Sequence, residues 1–161
     1  MLPLRTPATL LDAGCGLGDL SAYLKLKGYT NLDYTGIDIV PEMIAAAQKK
    51  YPDRKFSVQD LATVNQKYDY IIASGALNIV YQSQETQFDY ICRYVTQLFE
   101  HSTVACGFNC LSIHSIEDFD QDSRFYYTDP HALLAYCKLL TKNAKLITGY
   151  LPYDFTIILK K

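Results

Sequence analysis

The chain contains no tryptophan, only two methionines and no block of basic residues. Lysine and arginine total 15 against 17 aspartates and glutamates, a formal net charge of −2, and the nearest thing to basic runs are the pairs Lys49-Lys50 and Lys160-Lys161. Nothing in that pattern forms the positive stripe that nucleic acid binding requires, so no nucleic-acid partner is expected. No stretch approaches the ~20 consecutive apolar residues of a membrane helix. The opening MLPLRTPATLL carries Pro3 and Pro7 and no apolar core of a secretory signal, which predicts a cytoplasmic protein with no membrane partner. The five cysteines, Cys15, Cys92, Cys106, Cys110 and Cys137, are odd in number and include no CxxC pair, so they read as reduced, mostly buried thiols. His101, His114 and His131 stand far apart, and no metal site is expected. At 161 residues the simplest reading is one domain spanning 1–161.

What is present is organised around Thr9 to Ser21, TLLDAGCGLGDLS. Leu10 and Leu11 end an apolar run, Asp12 stops it with a carboxylate, and Gly14, Gly16 and Gly18 alternate with Cys15 and Leu17. Such spacing lets a backbone turn sharply and come close to a ligand, because no Cβ intervenes. The helix that follows aims its unpaired N–H groups into the same crevice. A second strand, Asp33 to Ile39, places Asp38 about twenty residues beyond the glycine loop, the offset of a ribose-binding acid. A third, beginning at Phe56, ends in Asp60-Leu61.

Further along, Tyr68 to Ser74 is a near-continuous apolar run, the pattern of a central parallel strand covered on both faces. Gln84 to His101 carries Phe88, Ile91, Val95, Leu98 and Phe99 at helical spacing, and Thr103 to Phe108 reads as a fifth strand. Asn109 to Thr128 reads as a polar stretch, and Asp129-Pro130 as an N-cap followed by a helix. Two last strands, Ala144 to Tyr150 and Tyr153 to Leu159, are joined closely enough for an antiparallel hairpin. Alternating strands and helices predict an α/β fold, a doubly wound sheet binding its ligand outside the carboxyl ends of the strands.

Asp12-Ala13-Gly14-Cys15-Gly16-Leu17-Gly18, then Asp38, Asp60 and Tyr68-Asp69-Tyr70-Ile71-Ile72-Ala73-Ser74, resemble the motifs of class I S-adenosylmethionine-dependent methyltransferases. The segments Gly107-Phe108-Asn109-Cys110-Leu111 and Phe125 to Pro130 resemble a subgroup of small bacterial members. The resemblance implies a Rossmann-like, seven-stranded, mostly parallel sheet with an antiparallel last strand. It implies S-adenosylmethionine as cofactor and S-adenosylhomocysteine as product.

On that reading Asp38 accepts from the ribose hydroxyls and Asp60 from the adenine amine, with Ile39, Leu61 and Met43 against the ring. Gly14 and Gly16 approach the methionine portion, Cys15 supplies a small side chain beside it, and Asp12 with the backbone near Ser74 meets its ammonium. The loops after strands four and five then surround the acceptor with Asn78, Tyr81, Asn109 and Tyr127, neutral groups that suit an uncharged or weakly charged small molecule. His114, Tyr127 and Asp129, with Tyr126, are the candidates for a base. Ser74-Gly75-Ala76-Leu77-Asn78 is not the Asn/Asp-Pro-Pro-aromatic motif of enzymes methylating the amino groups of bases or glutamine.

Family members usually carry a helical cover ahead of strand one, whereas Met1 to Ala8 alone stands there here. Either a preceding segment is missing from this sequence, a second copy or another partner covers the cofactor site, or the site is unusually open. Two other readings share the sheet and glycine loop: a non-catalytic S-adenosylmethionine-binding subunit, and an NAD-dependent oxidoreductase, in which Asp60 and the terminal hairpin have no required place.

Overall fold

The computed structural model describes residues 4–80, 86–114 and 124–161. The chain alternates as expected: β1 (Ala8–Ala13), α1 (Asp19–Leu26), β2 (Leu32–Asp38), α2 (Pro41–Lys50), β3 (Lys55–Val58), a 3₁₀ turn (Leu61–Thr63) and β4 (Tyr68–Ala73). It continues with α3 (Gln87–His101), β5 (Ser102–Ser112), β6 (Tyr127–Thr128), α4 (Pro130–Leu140), β7 (Ala144–Ile147) and β8 (Asp154–Lys160).

The strands form one sheet in the order β3-β2-β1-β4-β5-β8-β7, with β6 pairing β5 off that path. β8 runs antiparallel to both β5 and β7, and the other ladders are parallel. The seven-stranded path with its reversed last strand is the expected architecture. The added β6 lies inside the stretch read as polar loop, where Leu111 and Ser112 pair with Tyr127 and Thr128.

Strand alternation explains the two-sided core. Leu10 and Leu11 are both fully buried, yet they belong to opposite faces, as do Tyr70 and Ile71. One face packs Leu11 and Ile71 against Ile91, Val95 and Leu98 of α3 and Leu133 of α4. The other packs Leu10, Tyr34, Phe56 and Tyr70 against Leu24 of α1 and Ile44 of α2. Each such side chain contributes about 1.5–3 kcal/mol when fully buried.

The helix starts follow local chemistry. Thr86 accepts from the Asp89 N–H at 3.1 Å and its hydroxyl bonds the Asp89 carboxylate, a reciprocal cap for α3. Asp129 caps α4 by accepting from the His131 and Ala132 N–H groups, with Pro130 at the first helical position. At the amino edge, Asp69 accepts from both the N–H and the hydroxyl of Thr9 and from the Thr103 hydroxyl, tying β1, β4 and β5 together. Those bonds, the Thr9 N–H first, hold its carboxyl below the usual range.

β1 is the switch point, pairing β2 on one side and β4 on the other. The crevice beyond its carboxyl end is where a doubly wound sheet takes its ligand.

Candidate cofactor crevice

The turn after β1 is held from β2. The N–H groups of Gly14 and Cys15 both donate to the Ile37 carbonyl, at 2.8 and 2.9 Å. The Gly16 N–H donates to Asp38 Oδ2 at 2.9 Å, and the Val40 N–H to Asp38 Oδ1 at 2.9 Å. Gly18 closes the turn onto the Cys15 carbonyl. The N–H groups of Gly14, Cys15, Gly16 and Gly18 are thus taken up within the protein, so this part of the loop meets a ligand mainly as shape.

The glycines serve different ends. Gly14, at φ 74°, faces Ala76, whose Cβ would lie 2.6 Å from a Cβ added there. A Cβ on Gly18 would strike the Phe56 ring at 2.5 Å. Gly16, at φ 51°, faces open space. Close packing thus requires the first and third glycines, and the crevice requires the second.

The crevice has a volume of about 320 Å³, within the range of small-ligand sites. Of the residues expected to hold a cofactor, Gly14, Gly16, Asp38, Ile39, Met43 and Asp60 line it, together with Leu61 and Ser74. Asp60 does not end β3 as expected. It caps the following 3₁₀ turn, accepting from the Ala62 N–H at 2.9 Å, because the strand stops at Val58.

Asp12 and Cys15 line an adjoining cavity shared with Gly14 and Ser74. Asp12 is 2% exposed and accepts from the Tyr34 hydroxyl at 2.6 Å. Burial pushes its carboxyl up to about 7, against the lowering effect of that hydrogen bond. The Cys15 thiol is pushed up to about 12, by burial first and then by Asp12 and Asp38, which makes it a poor nucleophile. All five cysteines are unpaired and buried.

The expected acceptor and base residues are dispersed. Asn78 is buried away from the crevice lining; its Oδ1 accepts from the Leu111 N–H at 2.9 Å and its carbonyl from the Tyr126 N–H. It ties the loop after β4 to β5 and to the segment before β6. Asn109 accepts from the Gly75 N–H at 2.8 Å and donates to Asp154 at 2.9 Å, beside a second cavity. Tyr81 lies outside the described residues.

Tyr127 sits on β6, and His114 lies on the surface 3.8 Å from Asp129, itself occupied in capping α4. None of the base candidates lines the crevice. Residues missing from the sequence reading of the site also line it, among them Tyr90 and Tyr94 of α3, one turn apart with ring centroids 6.1 Å from each other. Their i, i+4 spacing beside the apolar stripe of α3 was the available signal.

Residues 10–98, more than half of the chain, match the family described as Methyltransferase domain. A Mycobacterium tuberculosis protein provisionally named a methyltransferase is 34% identical, over 96% of this chain and 94% of that one. The chain belongs to the class I S-adenosylmethionine-dependent methyltransferases.

Solved structures agree on the fold. The magnesium protoporphyrin IX methyltransferase of Synechocystis PCC 6803, crystallised with S-adenosylmethionine, superposes at TM-score 0.68 with 20% identity, over 92% of this methyltransferase and 67% of that chain. The plantazolicin methyltransferase BpumL, in complex with a desmethyl analogue and S-adenosylhomocysteine, gives 0.73 with 17% identity over 98% and 78%. The family match decides against the oxidoreductase reading.

Proposed function

We propose that this methyltransferase, a single domain spanning 1–161 and acting in the cytoplasm, methylates a small, uncharged or weakly charged acceptor. The observation that carries the reading is the convergence of Asp38, Asp60 and the open face of Gly16 on one crevice at the switch point. That set fits the cofactor: acceptor oxygens for hydroxyls and an amine, apolar contact from Ile39, Met43 and Leu61, and room where a Cβ would intrude.

Bound S-adenosylmethionine supplies an electrophilic methyl group. The protein's task is orientation. Asp38 is fixed by two backbone donors, so its carboxylate is already aimed before any hydroxyl arrives. Asp60 is likewise held by Ala62. In the adjoining cavity, Asp12 is the carboxylate for an ammonium, and an arriving cation would favour its ionised form. Among the described residues no histidine lines the crevice, which places the weight on positioning and not on a strong base.

Among the described residues no helix is long and apolar enough to cross a membrane. Incubation with S-adenosylmethionine labelled in the methyl group and a panel of small acceptors tests the proposal. Label in an uncharged small molecule supports it; label only in protein or nucleic acid rejects it.

A further inference from the structure

On the face of the sheet that carries α1, strand register lays out a floor in two rungs. Ile72 pairs Gly107 and Gly107 pairs Ile158, so these three lie side by side. One alternation step toward the carboxyl edge, Asn109 pairs Thr156, with Ser74 just beyond β4 alongside. The inner rung is apolar, and Gly107 at its centre brings no side chain. The outer rung is polar. Leu20, Tyr23 and Leu24 of α1, at i, i+3 and i+4, form one wall, and Tyr150 with Leu151 forms the other.

The result is a groove of about 410 Å³, and no charged side chain among the described residues lines it. Tyr23, Tyr150 and Leu151 keep 45%, 46% and 54% exposure around it, large apolar side chains clustered at a concavity. The groove adjoins the cofactor site through shared lining residues. Ser74 lines the crevice, the Asp12 cavity and this groove, and Leu20 and Tyr23 line the last two.

We propose that this groove is the methyl-acceptor site, and that its ligand is an elongated, uncharged, apolar molecule ending in one hydroxyl or amine. The proposal rests on the methyltransferase reading and moves the acceptor from the Asn78–Tyr127 side to the α1 side of the sheet. The apolar body lies over Ile72, Gly107 and Ile158, and the polar end lies at Ser74, whose hydroxyl can donate or accept. The acceptor's lone pair forms the new bond to carbon as the carbon–sulfur bond breaks with its electrons left on sulfur. The acceptor's proton leaves to water, which reaches exposed Ser74.

Fluorescence titration with N-phenyl-1-naphthylamine, an uncharged apolar dye, tests this in the presence of saturating S-adenosylhomocysteine. Saturable one-to-one binding is expected, tighter than that of the anionic 8-anilinonaphthalene-1-sulfonate. Gly107→Val adds a branched side chain to the groove floor, and Leu151→Arg sets a charge on the exposed rim. Each should weaken dye binding by about tenfold or more while calorimetry finds the S-adenosylhomocysteine affinity nearly unchanged. Should Gly107→Val fail to fold, Leu151→Arg, in a surface loop, still decides.

Absent dye binding to the wild type, dye affinity unchanged in a folded variant, or equal affinity for the anionic dye would overturn the proposal. So would a wild-type dimer that Leu151→Arg converts to monomer, since a second copy would then occupy the groove. Failure of S-adenosylhomocysteine to bind at all would instead bring down the cofactor reading first.

Discussion

The hydroxyl of Tyr34 donates a 2.6 Å hydrogen bond to Asp12 inside the sheet, and burial holds that carboxyl up at about 7. The ordinary value is 3.8. Between the two, the folded state keeps a proton that the unfolded state has released. Its stabilising effect is full below the unfolded value and is lost as pH rises through the folded one, so this group favours the fold in acid and opposes it above about 7. Asp12→Asn keeps an acceptor oxygen for Tyr34 and removes the titration. The melting temperature of the ligand-free variant should exceed wild type at pH 8, with the gap closing toward pH 4. A gap independent of pH would contradict the assignment.

The glycines separate packing from binding. At Gly14 an added methyl adds left-handed strain and meets Ala76 at 2.6 Å. Gly14→Ala should therefore cost about 2–4 kcal/mol of stability in urea titration. Gly16→Ala meets nothing within 4 Å. It should cost only about 1–2 kcal/mol of stability, yet weaken S-adenosylhomocysteine binding because the methyl enters the crevice. Equal stability losses would refute the distinction.

Asn78→Ala removes the acceptor for the Leu111 N–H. A loss of about 1–3 kcal/mol in stability is expected, with cofactor affinity unaltered. Loss of turnover with stability and cofactor affinity both intact would return Asn78 to the acceptor site.

Much of this architecture is legible in the residues themselves, because local signals and tertiary demands coincide. Leu10-Leu11 and Tyr70-Ile71 are apolar on both faces, as strands flanked by β2 and β5 must be. Gly28 ends α1 at φ 83° as a C′ glycine should. Asp38 follows from spacing alone.

Other features depend on partners distant in sequence. Asn109 looks like the start of a loop, but β5 continues to Ser112 because β8 pairs it as far as Leu111 opposite Asp154. Asn78 reads as an amide in the loop after strand four, and only the fold brings Leu111 and Tyr126 beside it. The acceptor groove was invisible for the same reason. Its floor joins Ile72, Gly107 and Ile158, which no local pattern links.

The most direct test of the central claim is calorimetric titration of S-adenosylhomocysteine into wild type and Asp38→Ala. One site should fill in the wild type. The variant should lose about 1.5–3 kcal/mol of binding energy, the scale of hydrogen bonds to a charged group. No heat of binding in the wild type, or unchanged affinity in Asp38→Ala, would contradict the placement of the cofactor in this crevice.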